Sequence, residues 1–131
     1  MMNEMKASEE QVIRFVSEKL GIGLFPPFTA MGMERDGRVT AGVVFNCFTG
    51  SNIEVTVAGH GWTRSFLREV GEYVFRQIGC IRMTFTTEQE TVARLAERLG
   101  GKREGEKRDF YGPGRNGLII GILKSEYRFL R

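Results

Sequence analysis

Apolar residues recur at helical spacing at Val12, Ile13, Val16 and Leu20, directly behind Ser8-Glu9-Glu10-Gln11. A hydroxyl followed three residues later by a glutamine is a capping box, and Gly21 is a natural stop. The spacing predicts a helix over 9–20. Gly23-Leu24-Phe25-Pro26-Pro27-Phe28 cannot continue it, because proline removes the helical donor. Its apolar side chains read as cover for a sheet edge, with a substrate-lining role as the alternative. The period then changes. Strand-like runs over 29–35 and 38–47 flank Asp36-Gly37, a strong hairpin signal. A turn over 48–52 leads into a third run over 53–58, so three strands form an antiparallel meander.

Gly59-His60-Gly61 follows, then a stretch with Trp62, Phe66, Leu67, Val70, Tyr73, Val74 and Ile78 on one broad face. Arg64, Arg68, Glu72 and Arg76 take the other face, which predicts a sheet-covering helix over 62–77. A strand over 81–86 comes next, and the crossover makes it parallel to 53–58. Thr87-Glu88-Gln89-Glu90 reads as a second capping box. It opens a helix over 88–99 that buries Val92, Leu95, Ala96 and Leu99 and ends at Gly100-Gly101. Strands over 102–111 and 118–124, joined by a loop over 112–117, complete the chain. Residues 1–7 read as a leader, with no strand before the first helix. The fold class is α/β (α+β): a mixed central sheet, order α-β-β-β-α-β-α-β-β, helices on both faces, one domain over 1–131.

The chain has 131 residues, 41% hydrophobic and 27% charged, which suits a globular core. No apolar run reaches the roughly 18 residues of a membrane span, and the N-terminus lacks a signal-type apolar region. The expectation is a cytoplasmic protein without membrane partners. Cys47 and Cys80 have no metal-like spacing and read as buried free thiols of a reducing compartment. With His60 as the only histidine, no metal is expected. The net charge of +3 is too small to argue for nucleic acid. Arg94, Arg98, Lys102, Arg103, Lys107 and Arg108 cluster, but Glu97, Glu104, Glu106 and Asp109 interleave with them, as on a solvated face.

The stretch from Gly59 to Arg64 joins a strand end to a helix N-terminus. Unpaired N–H groups and the helix dipole converge there on an anion, and the glycines admit a close ligand. A tight turn explains Gly59 and Gly61 equally well. Further motifs lie later: Cys80-Ile81-Arg82-Met83-Thr84, then Leu95-Ala96-Glu97-Arg98-Leu99-Gly100 followed by Glu104-Gly105 and Arg108, then the closing Gly121 to Tyr127. Together they resemble the GNAT superfamily of acetyl-CoA-dependent N-acetyltransferases, in particular its RimJ/RimL-like branch with small phage and prophage relatives.

That resemblance implies acetyl-CoA as cofactor, its pantetheine amides on the backbone of Val55, Thr56, Val57 and Ala58. It implies a pyrophosphate on the N–H groups of Gly59, His60, Gly61, Trp62, Thr63 and Arg64. Arg64 reads as a direct phosphate contact or a solvated side chain, and Thr63 as a helix cap. Gln89 and Arg94 are pantetheine or nucleotide contacts or plain surface. Glu54 is the implied catalytic base, with a paired edge carboxylate as the alternative. No tyrosine falls on the 88–99 helix, so the acid is unassigned. The acceptor is a primary amine, a protein N-terminus or a small molecule. It is expected across the sheet near 9–28 and 111–117, where Glu34, Asp36 and Asp109 are candidate carboxylates. The alternative function is a non-catalytic acetyl-CoA-binding or protein-interaction module of the same fold. A homodimer is left open.

Overall fold

The computed structural model describes residues 5–130. Among them seven strands form one sheet: β1 (Met5–Lys6), β2 (Phe28–Arg35), β3 (Arg38–Asn46), β4 (Asn52–Gly59), β5 (Arg82–Thr87), β6 (Lys102–Gly112) and β7 (Arg115–Leu123). The order across the sheet is β1-β2-β3-β4-β5-β7-β6. Every neighbouring pair is antiparallel except β4 and β5, which are parallel as their crossover requires. The helices are α1 (Glu9–Leu20), α2 (Arg64–Gly71) and α3 (Glu90–Arg98).

Helix α1 begins and ends as its sequence predicts. Ser8 Oγ accepts from the Gln11 N–H at 3.2 Å, and Gln11 Oε1 accepts from the Ser8 N–H at 3.0 Å. Gly21 takes the left-handed conformation at φ 64°. Asp36 and Gly37, at φ 52° and 77°, make the tight hairpin turn between β2 and β3.

Alternation along the strands separates two faces. On one, Gly32 and Gly42 stand opposite each other in register. A Cβ on Gly42 would lie 2.9 Å from methyl carbons of both Val12 and Val16, so bare backbone there lets α1 lie flush on the sheet. Val12, Val16, Val44 and Ala58 form the buried cluster beneath it. On the other face Phe66, Val70 and Val74 together with Leu95 and Ala96 cover Val43, Phe45, Val55, Phe85 and Ile120. Helices therefore flank both faces, one on the first and two on the second.

Several local expectations are corrected. Met5–Lys6 pair with Met33 and Glu34 as an edge strand instead of belonging to a leader; a run of two residues carries no readable period. Residues 1–4 of that expected leader lie outside the described residues. The helix expected over 62–77 starts at Arg64, because Thr63 is its cap: Thr63 Oγ1 accepts the Phe66 N–H at 3.2 Å. From Glu72 to Gln77 it continues as a π-helix. The register change buries Phe75 beside Val74 and brings the Tyr73 hydroxyl to Thr29 Oγ1 at 2.7 Å. The second capping box does not form. The buried Thr87 turns its hydroxyl to the Gln89 N–H at 3.0 Å, so Gln89 becomes the N-cap and α3 starts at Glu90.

The loop expected over 112–117 shrinks to its tip, because β7 already pairs at Arg115. The irregularity sits inside β6 instead. There Asp109 takes φ 55°, its N–H donates to Asn116 Oδ1 at 2.9 Å, and its carboxylate accepts from the Gly114 N–H at 2.8 Å. Cys80 is buried, which pushes its thiol pKa up, whereas Cys47 is exposed at the end of β3. Phe25, expected as cover, is 77% exposed.

Candidate active site

β4 and β5 part company in the middle of the sheet. They pair from Asn52 with Arg82 to Val55 with Phe85, and no further. Beyond that point Thr56 to Gly59 pair only with β3, while Thr86 and Thr87 pair only with β7. Backbone groups of Thr56, Val57 and Ala58 that would face β5 are left without a strand partner. Such groups take their hydrogen-bond partner from elsewhere, from water or from a bound extended chain.

At the wide end of this split the chain turns through Gly59, His60 and Gly61 into α2. The two glycines differ. At Gly59, φ is 101° and a Cβ would overlap the Thr40 carbonyl oxygen, so this residue is required by the β3–β4 contact. At Gly61, φ is 81° and a Cβ would have no neighbour within 4 Å among the described residues, so its backbone faces open space. The His60 N–H donates to the Thr40 carbonyl at 3.1 Å and is not free for an anion, a correction to the six-residue cradle. Thr63 spends its hydroxyl on the cap. The open amides are those nearer the helix start, including Arg64 and Ser65 in the first turn, which have no intrahelical acceptor.

A cleft of about 740 Å³ opens at this loop. Gly59, His60, Gly61 and Trp62 form one wall, Val92, Leu95 and Arg98 of α3 another, and Arg128 with Phe129 of the C-terminal tail a third. The tail is wedged in place. The buried Tyr127 donates its hydroxyl to the Leu67 carbonyl at 2.7 Å, with its pKa pushed up by burial, and the Arg128 N–H donates to the Leu99 carbonyl at 2.8 Å. The Arg64 guanidinium rests 5.7 Å from the Phe129 ring centroid. Arg98 and Arg128 are additions that the linear pattern did not single out for this place. Gln89 meets Gly59 and His60 in a separate, smaller cavity on the α1 side. Arg94 lines none of these cavities and pairs loosely with Glu90 at 3.8 Å.

A second cavity, of about 730 Å³, opens on the α1 face at the narrow end of the split. Glu54 and Thr56 of β4, Thr86 of β5, Leu24 of the loop after α1, and Phe110 and Tyr111 of β6 line it. One Glu54 oxygen accepts from Asn52 Nδ2 at 3.0 Å; Asn52 Oδ1 in turn accepts from the Thr84 hydroxyl at 2.7 Å. That chain fixes the orientation of the carboxylate. Tyr111 donates its hydroxyl to the Thr86 carbonyl at 2.9 Å, and burial, helped by the negative Glu88, pushes its pKa up to about 12. The Thr86 hydroxyl is shielded from water and has no hydrogen-bond partner among the described residues. Glu34, Asp36 and Asp109 do not reach this cavity.

No protein-family model matches the chain, and no curated protein matches it in sequence. Solved structures do. A mutant spermidine N-acetyltransferase from Vibrio cholerae superposes with a TM-score of 0.72 at 12% identity, covering 97% of this chain and 96% of that one. A ribosomal-protein-S5-alanine acetyltransferase from Vibrio fischeri superposes with a TM-score of 0.64 at 14% identity, covering 77% of this chain and 64% of that one. The chain has the GNAT fold. At these identities the likeness establishes the architecture alone. The two-residue β1 supplies the strand before α1 that the sequence pattern did not reveal.

The clustered cations fall into different settings. Arg103 is held by Glu90 and Glu97, and Lys102 by Glu126 at 3.3 Å; Arg98 turns to the first cleft, and Lys107 lies over Phe110. No helix among the described residues is long and apolar enough to cross a membrane.

Proposed function

We propose that this protein is an N-acetyltransferase that takes an acetyl group from acetyl-CoA to a primary amine. The observation that carries the reading is the β4–β5 split, with a phosphate-compatible cleft at one side and an oriented carboxylate at the other. The residues present fit the cofactor. Backbone of Thr56, Val57 and Ala58 without a strand on the β5 side, starting next to the last paired residue Val55, offers an edge to which amides of an extended arm can pair, as in strand addition. The open backbone at Gly61, with the amides leading into α2, suits a pyrophosphate. Arg98 and Arg128 add guanidinium groups suited to phosphate.

When bound, acetyl-CoA supplies an acyl group activated as a thioester. The chain has to orient the amine, remove its proton and place donors where the carbonyl oxygen gains charge. Glu54, held by Asn52, is the proton acceptor. Backbone N–H groups between Val55 and Val57, freed where β5 departs, are the donors. A proton for the leaving thiolate would come from water, because burial makes the Tyr111 hydroxyl a weaker acid than usual and the Thr86 carbonyl already engages it.

Two measurements test the cofactor site. Gly61→Val is expected to weaken acetyl-CoA binding at least about tenfold, because a side chain fills the space the phosphates need. The left-handed backbone costs the substituted protein about 1–3 kcal/mol of stability. Calorimetric titration checks the affinity, and an unchanged value removes the loop from the site. The double variant Arg98→Ala/Arg128→Ala is expected to lose about tenfold in affinity at low ionic strength, with the gap narrowing in high salt. A gap that does not respond to salt assigns these arginines elsewhere. Tight acetyl-CoA binding without turnover of any amine identifies a non-catalytic binding module instead.

A further inference from the structure

Resting on the acetyl-transfer reading, we infer that the acceptor is a monocationic primary amine bearing an aromatic or branched apolar arm, not a polyamine. Among the described residues lining the cavity beside Glu54, that glutamate is the only carboxylate and Lys107 the only cation. One Glu54 oxygen is engaged by Asn52, so the carboxylate offers room for one ammonium group. Nothing else there neutralises a second. The Lys107 ammonium, 4.7 Å from the Phe110 ring centroid, sits on the same wall and repels one.

The remaining surface is apolar and partly uncovered. Phe110 is 50% exposed although it lines a concave site, and its ring packs edge-on against Tyr111 at 4.9 Å between centroids. Leu24 faces them from the loop after α1. An aromatic or branched arm attached to the amine covers this surface and gains the free energy of apolar burial. The methylenes of a polyamine cover less of this surface than a ring does, and its further ammonium groups meet Lys107.

The test is a calorimetric titration of the full-length protein, first saturated with CoA, using phenethylamine and spermidine in parallel. Phenethylamine is expected to bind at least about tenfold more tightly, the scale of one partly buried ring. Lys107→Glu is expected to narrow the gap by strengthening spermidine, and Phe110→Ala by weakening phenethylamine. Opposite movements of the two ligands cannot come from a general loosening of the fold. Spermidine binding as tightly as phenethylamine, or neither amine binding to the CoA-saturated protein, overturns the inference and leaves the cofactor reading standing. Failure of CoA to bind at the first step overturns both.

Discussion

Gly59→Ala is expected to destabilise the protein by about 3 kcal/mol or more. Two costs add. The residue sits at φ 101°, where an L side chain is strained by roughly 1–3 kcal/mol. The new Cβ would also overlap the Thr40 carbonyl and lie 2.6 Å from Ala41 Cα, both on the backbone of β3, which cannot rotate away. Overpacking of that kind adds about 1–3 kcal/mol. Thermal unfolding should fall by about 10 °C or more, on the usual scale for a domain of this size. A melting temperature within about 2 °C of the parent would show that β3 and β4 separate freely at this end. The contrast with Gly61→Val separates the two glycines of one short motif: the first maintains the sheet, the second leaves space.

Glu54→Gln is expected to lower turnover by about a hundredfold while changing acetyl-CoA affinity less than about twofold. Loss of a positioned general base costs on the order of 10² to 10⁴ in rate. The amide oxygen of glutamine can still accept from Asn52, so the local chain of hydrogen bonds survives and the fold is unaffected. Cofactor binding is preserved because Glu54 lies on the α1 face, away from the loop and the α3–tail cleft. Steady-state rates with a saturating amine, beside a titration with acetyl-CoA, separate the two quantities. Equal rates in both proteins would return Glu54 to the role of a paired edge carboxylate.

The arginine-rich stretch shows how the same residues read differently once folded. In sequence, Arg94 to Arg108 is a row of alternating charges. In the structure Arg103 bridges α3 and β6 through Glu90 and Glu97, while Arg82 reaches across to Glu104. These partners hold the guanidinium groups charged and lower the carboxylate pKa values of Glu90 and Glu104. The groups are solvent-accessible, and such pairs contribute little each. Their effect is to occupy charges that would otherwise be available to an anion, leaving Arg98 to face the cleft.

Local physics was legible because each signal acts within a few residues. The spacing of Val12, Val16 and Leu20, the Ser8–Gln11 box and the Asp36-Gly37 turn each determine a shape before any distant contact exists. So does the alternation along β3 and β4, which places Glu54 and Thr56 on one face and Val55 and Val57 on the other. These features, with the crossover that makes β4 and β5 parallel, determined the element order and the sheet. Thr87 shows the limit, since its hydroxyl had two nearby N–H partners and only the packing around it chose between them.

The site itself belongs to the tertiary structure. Tyr127 reaches a carbonyl sixty residues away to seat Arg128 in the cleft, and Tyr111 reaches Thr86 across twenty-five. Where β4 and β5 separate is encoded by no local period: Thr86 and Thr87 keep their pairing with β7 while their β4 side is left without a strand. The sequence by itself determined which strands and helices exist and which way their side chains face. Only the folded chain decided where the sheet opens, because the length over which β4 and β5 stay side by side is set by contacts between segments distant in sequence and by no signal within either strand.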